Sequence, residues 1–373
     1  MLRTLAAIAA LAITASLHAA PPIAPKLAKG VNLSHWWWQS SDSTDKQITD
    51  ADVKLIKSSG LTHVRIPIDP AHFIKDDKLD TDATNKFLKS VKLFTDAGLA
   101  VVIDCHPAGT LSKSMLPSGN STGWEDELTK FWKTFAPALK STPPELVAIE
   151  LLNEPNGLDE AKAWPAAQER IHAAVRTILP RHTIVLTGDD WGAIDGLLRL
   201  TASKDANTVY SFHFYDSHTF THQGATWGSP MWKEIKGLHY PFDAANTDAV
   251  IAATSDPKAI NSIKAYAREK WDAAKIKARI GKAKAWADSQ KPPATLYLGE
   301  FGAYKAGCDE ASRKAWTTDV RTAAESANIG WCVWDYAGGF SISDKSGKGQ
   351  RTINTDAANA LGLVPNGAPK KKP

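Results

Sequence analysis

Strand-like and helix-like segments alternate along this 373-residue chain, no shift in composition divides them, and its acids, histidines and aromatics gather where the strand-like runs end. Together these observations predict one α/β domain of the (β/α)8 barrel class, with a long insertion after the sixth strand. The expected boundaries are residues 1–20 for an export signal, 21–365 for the barrel and 366–373 for a disordered tail. That tail ends Lys370-Lys371-Lys372-Pro373 and reads as a frayed, solvated end. Apolar content of 43% and charged content of 23% are ordinary for a soluble globular chain, so composition leaves a single large barrel open.

Arg3, an apolar run from Leu5 to Leu17 and His18-Ala19-Ala20 form a charged region, a hydrophobic region and a small-residue exit. That is the pattern of a secretory signal peptide cleaved near Ala19 or Ala20. The run is too short to span a bilayer, and no later stretch approaches about 18 uninterrupted apolar residues, so a soluble protein, secreted or periplasmic, is expected. Gly30 to Leu33 reads as the first strand, and Asp45 to Ser59 as a helix stopped by Gly60. Thr62 to Ile68 is the second strand. Thr84 to Ala97 is an amphipathic helix with Phe87, Leu88, Val91 and Phe94 on one face, closed by Gly98. Leu99 to Asp104 is a third, buried strand.

Helix Trp124 to Leu139 precedes the fourth strand, Leu146 to Leu152, which is bounded by Pro143-Pro144 and Pro155. Pro155 biases Glu154 away from helical angles, so the chain is expected to be still extended where that carboxylate projects. Glu160 to Leu179 is helical, Thr183 to Leu186 the fifth strand, Ile194 to Leu200 a short helix and Thr208 to Phe214 the sixth strand. Residues 215–257 read as the loop-rich insertion. Ala259 to Ser289 is helical with a break expected at Gly281, and Thr295 to Leu298 is the seventh strand. Helix Glu310 to Ala327, strand Gly330 to Trp334 and a last helix from Thr355 to Leu361 complete the series.

A net charge of +4 is too small to argue for nucleic acid or an anionic membrane surface. Three cysteines, Cys105, Cys308 and Cys332, are an odd number for an exported chain, and their spacing assigns no pairing. Cys105 and Cys332 sit in or beside apolar strands, where a buried free thiol is the simpler reading. The 14 Trp outnumber the 7 Tyr and the 11 Phe; an indole serves equally as core or as the surface that covers a sugar ring.

Chemistry concentrates at the strand ends. Arg65 lies on the second strand, Asp104 and His106 end the third, and Asn153 and Glu154 the fourth. His213 and Tyr215 end the sixth, Glu300 the seventh and Trp334 the eighth. Barrel enzymes gather their active sites at that face. A retaining glycosidase needs two carboxyl groups about 5–5.5 Å apart, one to attack the anomeric carbon and one to protonate the leaving oxygen. Strands four and seven are expected to lie opposite each other, with Glu154 facing Glu300 across a sugar. Like-charge repulsion from Glu300 is expected to raise the proton affinity of Glu154, while Tyr215, Arg65 and nearby His residues keep Glu300 ionised.

The set Arg65-Ile66-Pro67, Asp104-Cys105-His106, Asn153-Glu154-Pro155, His213-Phe214-Tyr215, Gly299-Glu300-Phe301-Gly302 and Trp334 resembles glycoside hydrolase family 5. That family holds the cellulases and other retaining β-glycosidases on a (β/α)8 barrel. The motifs occur in the family's order from Gly30 to Trp334. The resemblance implies Glu154 as acid/base, Glu300 as nucleophile, and Asn153 bonded to the sugar 2-hydroxyl. It further implies Arg65 and Tyr215 holding the nucleophile, His106 and His213 lining the subsite, and Trp334 as a platform followed by a cis peptide. Asp104 reads as a support rather than a catalyst. Trp36-Trp37-Trp38 resembles the aromatic wall of the sugar subsites, with at least one of the three packed into the barrel. Phe220 to Trp227 resembles a loop of some bacterial members; Trp227 and Trp232 are candidates for the floor beyond the cleavage point. The implied partner is a β-linked polysaccharide cleaved by a monomer without metal or cofactor, foremost an endo-β-1,4-glucanase. β-Mannanase and β-1,3-glucanase are the alternatives within the family. A barrel that only binds polysaccharide is the alternative of another class, and the presence of both acids with Asn153, Tyr215 and Trp334 argues against it.

Two other signals are weaker. Gly119 to Gly123 matches the G-x-S-x-G pattern of serine hydrolases, but it follows a polar loop where that motif needs a strand. His213, His218 and His222 lack the Cys or H-E-x-x-H frame of a metal site.

Overall fold

The computed structural model describes residues 23–34, 36–38, 48–108, 123–156, 163–347 and 349–364. The export signal, the tail, Gly119 to Thr122 of the G-x-S-x-G run, and the expected starts of two helices (45–47 and 160–162) lie outside those residues. Eight parallel strands close into one barrel: β1 (Lys29–Asn32), β2 (His63–Ile68), β3 (Ala100–Cys105), β4 (Val147–Glu150), β5 (Thr183–Thr187), β6 (Thr208–Phe214), β7 (Leu296–Phe301) and β8 (Gly330–Val333). They pair in chain order, with β1 hydrogen-bonded to both β2 and β8. Around them run α1 (Asp50–Ser58), α2 (Thr81–Asp96), α3 (Trp124–Leu139), α4 (Ala163–Ile178) and the short α5 (Ile194–Leu197) and α6 (His218–Thr221). Then come α7 (Ala244–Ala253), α8 (Pro257–Glu269), α9 (Ala273–Ser289), α10 (Glu310–Ser326) and α11 (Thr355–Leu361). Among the described residues no helix is long and apolar enough to cross a membrane.

Helix boundaries follow capping chemistry. α1 begins at Thr49 because the Thr49 side chain accepts from the Asp52 N–H while Asp52 accepts from the Thr49 N–H. The expected break at Gly281 is absent, since α9 runs straight through it. The chain breaks instead at Lys270–Asp272, where Lys270 adopts φ +51° and Asp272 caps α9 through the Lys275 N–H. The segment 215–257 is less loop-rich than expected, for it holds α6, α7 and a 3-10 turn at Trp232–Glu234. Short hairpins at Ile74–Lys75/Lys78–Leu79 and Ser343–Lys345/Arg351–Ile353 were not legible as strands. All three cysteines are buried free thiols.

Alternation along the strands sorts side chains to the two faces of the barrel wall. On β3, Val101, Ile103 and Cys105 join the core under the helices, whereas Ala100 and Val102 join a separate interior cluster. That interior cluster also takes Ala148, Val185, Val209, Tyr297 and Cys332, with Ile23 and Leu27 from the N-terminal 3-10 turn closing the barrel floor. One step further along the strands the interior turns polar: Asn32, Arg65, Asp104, Glu150 and His213 are all buried. β7 departs from simple alternation. Phe212 pairs with Leu298 but His213 pairs with Glu300, so Gly299 is an extra residue in the register. This bulge turns Glu300 to the interior beside His213. A Cβ on Gly299 would meet the Ser211 Oγ at 2.4 Å and crowd the His213 ring at 3.3 Å, so glycine is the residue that leaves both side chains in place.

Candidate active site

Arg65 is the centre of the polar layer. Its Nε donates to Glu150 Oε2 at 2.6 Å, and NH1 donates to Asn32 Oδ1 at 3.0 Å and to Glu300 Oε1 at 2.7 Å. NH2 donates to Asn153 Oδ1 at 2.9 Å and lies 3.0 Å from Asp104 Oδ2. The side chain has no exposure, so the guanidinium is held from all sides. The register makes this possible: Asn32 stands beside Arg65 and Asp104 beside Glu150. One guanidinium therefore meets three carboxylates, and each is shifted upward by burial while Arg65 pulls it back. Asp104 reaches about 7. Asp104 Oδ1 and Glu150 Oε1 are buried and make no hydrogen bond among the described residues.

Glu300 is held on both oxygens, since Tyr215 donates its hydroxyl to Oε2 at 2.8 Å. Two donors, one of them cationic, favour its ionised form against the burial that raises it. Among the described residues Glu154 has one side-chain hydrogen-bond partner, His213 Nδ1, at 2.8 Å from Oε1. Its side chain keeps 27% exposure, yet burial of the carboxyl lifts it to about 7. The expected cause, repulsion from Glu300, is not the main one; burial comes first, and Glu150 is the acid that adds to it. The backbone expectation also needs correction. Strand β4 ends at Glu150, and Glu154 sits at φ +41° instead of remaining extended. Pro155 does exclude the right-handed helix there, but the chain answers by turning left-handed, with Asn156 Nδ2 donating to the Glu154 carbonyl.

β4 and β7 are three places apart around the ring and not diametrically opposed. An oxygen of Glu154, an oxygen of Glu300 and a ring nitrogen of His213 all lie within 4.8 Å of one another. The histidine trio weighed from sequence does not converge: His213 faces Glu154, while His218 and His222 stack on each other 5.1 Å apart. Burial lowers His106 and His213 to about 4, so both are neutral near pH 7. His106 Nδ1 faces Asp104 Oδ2 at 2.9 Å, and its Nε2 lies 3.3 Å from Asn153 Nδ2. With Arg65 on the amide oxygen, this pins the Asn153 side chain.

These groups floor a cleft of about 600 Å³ lined by Trp38, His106, Glu154, Trp191, Tyr215, Trp227 and Trp334, among others. Trp38 packs against His106 and Trp334. Trp36 and Trp37 are corrected as cleft residues: Trp36 packs edge-on to Phe94, and Trp37 lies against Phe73 and Phe87. His213 touches Glu154 and Glu300, and Asn153 touches Arg65 and His106. The bond from Trp334 to Asp335 is cis, as the resemblance implied. Trp227 reaches the cleft at 47% exposure.

Three contributors were missed. Glu150 was read only as part of a buried strand, although a charge on an interior position is itself a signal. Phe340, from the loop after β8, packs on Tyr215 and Trp227. Trp191 stands 56% exposed at the cleft, in a turn where Asp190, Trp191 and Gly192 all have φ between +55° and +68°. That turn is tied on both sides, by Trp191 N–H to the Pro155 carbonyl and by His213 N–H to the Gly192 carbonyl.

Residues 24–339 match the Cellulase family, glycosyl hydrolase family 5. The chain is 30% identical to Endoglucanase 3 of Fibrobacter succinogenes over 85% of its own length, and spans about half (50%) of that relative. It is 27% identical to Endoglucanase C of Acetivibrio thermocellus, covering 82% of this chain and 90% of that one. Cel5A of Thermotoga maritima, solved with cellobiose, superimposes with a TM-score of 0.71 at 26% identity, covering 91% of this chain and 98% of that one. The same protein has been solved with mannotriose.

Proposed function

The chain belongs to glycosyl hydrolase family 5 and is a glycoside hydrolase, and from that premise we propose that it is an exported retaining endo-β-1,4-glucanase. The observation that carries the mechanism is the approach of the Glu154 and Glu300 oxygens to within 4.8 Å. That matches the spacing of about 5–5.5 Å used in double displacement and falls well short of the roughly 6.5–9.5 Å that admits an attacking water in inverting enzymes. Glu300, ionised between Arg65 and Tyr215, attacks the anomeric carbon and forms a glycosyl ester. Glu154, whose carboxyl titrates at about 7, gives its proton to the departing oxygen. The leaving chain departs, Glu154 then takes a proton from water, and that water breaks the ester with a second inversion. Arg65 and His106 hold Asn153 facing the sugar 2-hydroxyl, a bond that strengthens as charge develops on the ring.

Trp334, Trp38, Trp227 and Trp191 offer indole faces to successive pyranose rings. The endoglucanase relatives and the cellobiose complex support β-1,4-glucan as the substrate; the mannotriose complex of Cel5A makes β-mannan the second reading. The run from Arg3 to Ala20 supports export. Proton NMR of early hydrolysis of cellopentaose tests the stereochemistry: the β-anomer is expected first, and first appearance of the α-anomer overturns double displacement. A reducing-sugar screen on carboxymethylcellulose, barley β-glucan, mannan, xyloglucan and laminarin tests the substrate, with fastest release expected from the β-1,4-glucans.

A further inference from the structure

Asn153 serves the sugar 2-hydroxyl as a donor only if its amide is turned one way, and the bonds that turn it start at Asp104. Asp104 stands on β3 and His106 two positions later, just past the strand end, so both side chains leave the same face. The backbone fixes the other two members: His106 N–H donates to the Ile68 carbonyl and Asn153 N–H to the Cys105 carbonyl, each at 2.8 Å. All three side chains are buried. We propose that Asp104 is a positioning residue. It fixes the Nδ1–H tautomer of His106 and, through it, the end of the Asn153 amide that meets the 2-hydroxyl of the sugar being cleaved.

The polarity of each bond follows from the one before it. Arg65 NH2 lies 3.0 Å from Asp104 Oδ2, and a guanidinium at that distance keeps a proton off the oxygen. In the 2.9 Å contact between Oδ2 and His106 Nδ1 the ring nitrogen is therefore the donor. Burial depresses His106 to about 4, so the neutral ring has one N–H, on Nδ1, and a lone pair on Nε2. Asn153 Nδ2, 3.3 Å away, donates into that lone pair, while Asn153 Oδ1 accepts from Arg65 NH2 at 2.9 Å. One amide hydrogen is left for the sugar. Without Asp104 the ring is free to carry its proton on Nε2, which sets donor against donor at Asn153. The amide must then turn and give up Arg65, the sugar or both. Arg65 itself keeps Glu150, Asn32 and Glu300, so its place does not hang on Asp104.

The proposal rests on the glycosidase reading, and two measurements separate their failures. Long-range proton–nitrogen correlation spectra of the histidine rings read the tautomer without turnover, with His106 identified by the signal that His106→Ala removes. The Nδ1–H form is expected in the wild type, and the Nε2–H form or a mixture in Asp104→Ala. An Nε2–H ring in the wild type overturns the proposal and leaves the glycosidase reading standing. Kinetics test the consequence on an aryl β-cellobioside and on its analogue lacking the 2-hydroxyl of the ring that bears the aryl group. Asp104→Ala should lower kcat on the parent by about tenfold or more with KM little changed, and on the 2-deoxy analogue by less than about threefold. His106→Ala should show the same selectivity, and the double variant should be no slower than the slower single one. Equal losses on both substrates, or losses that add in the double variant, place the action of Asp104 elsewhere and overturn the proposal. A wild type indifferent to the 2-hydroxyl overturns the reading of Asn153, and the proposal with it. Thermal transitions check that the variants fold, and Asp104→Val, suited to a strand, replaces Asp104→Ala if that one does not.

Discussion

The two ends of the barrel interior are built on the same alternation and do opposite things. At the floor, Ala100, Val102, Ala148, Val185 and Val209 pack against Ile23 and Leu27, and burial of apolar surface stabilises the fold. At the mouth, the next inward residues on β3 and β4 are Asp104 and Glu150, gathered with Glu300 on Arg65. Burying those charges costs free energy, which only their mutual hydrogen bonds offset. His63 marks the border: burial depresses it to about 3, so it stays neutral, and it bonds the Tyr297 hydroxyl at 2.8 Å. The barrel thus spends floor stability on holding a strained, charged mouth, and the two ends should respond to substitution in opposite ways.

Changes at the mouth should show in rate. Glu300→Ala is expected to remove essentially all turnover while glycan binding remains, because in the proposed double displacement Glu300 is the group that attacks the anomeric carbon. Arg65 keeps Asp104 and Glu150 as partners in that variant, so no buried charge is stranded and the thermal transition should hold. Substantial residual turnover would remove Glu300 from the role of nucleophile. Glu154→Ala should lower hydrolysis of natural glycans by about 10²–10⁴-fold, spare aryl glycosides with good leaving groups, and be partly rescued by azide. Equal losses on both substrates with no rescue would contradict the acid/base role. The pH profile sharpens the same point. Glu154 works as an acid only while protonated, so kcat/KM should fall as pH rises through about 7, and Glu154→Gln should erase that limb.

A change at the floor should show in stability instead. Leu27→Ala, at a side chain 2% exposed, should cost about 2–5 kcal/mol in denaturant titration and leave kcat/KM of the folded enzyme unchanged. A kinetic effect there would mean the floor is mechanically coupled to the mouth. The smallest effect tests strain directly. Trp191 holds φ +55° with more than half its surface in water, so Trp191→Gly should stabilise the fold by about 1 kcal/mol through relief of a left-handed backbone. It should weaken binding of long chains more than of short aryl glycosides. A lower thermal transition in that variant would show that the indole contributes more to packing than the backbone strain costs.

Much of this was legible without coordinates. The strand–helix alternation, the count of eight barrel strands and the placing of Arg65, Glu154, Tyr215, Glu300 and Trp334 at one face follow from runs of apolar residues and the polar residues that end them. Helix ends were legible where capping residues mark them, as with α11 at Thr355–Leu361 between Asn354 and Gly362, and misplaced where a left-handed Lys270 did the work of a glycine. Trp36-Trp37-Trp38 offered three equal candidates; only the position of α2 and its phenylalanines shows that two of them serve the core and Trp38 the cleft.

Periodicity and residue type, being local, are enough for the sequence by itself to determine the barrel, while the ordered motifs from Arg65-Ile66-Pro67 to Trp334 carry the resemblance that implied its family and the pair of acids at its mouth. The tertiary structure alone decided how those acids differ. The bulge at Gly299 brings Glu300 inward between Arg65 and Tyr215, while the left-handed turn at Glu154 sets its carboxyl against the neutral His213. Proton affinity depends on burial and on neighbours drawn from separate strands, and no stretch of chain carries that information until the barrel closes.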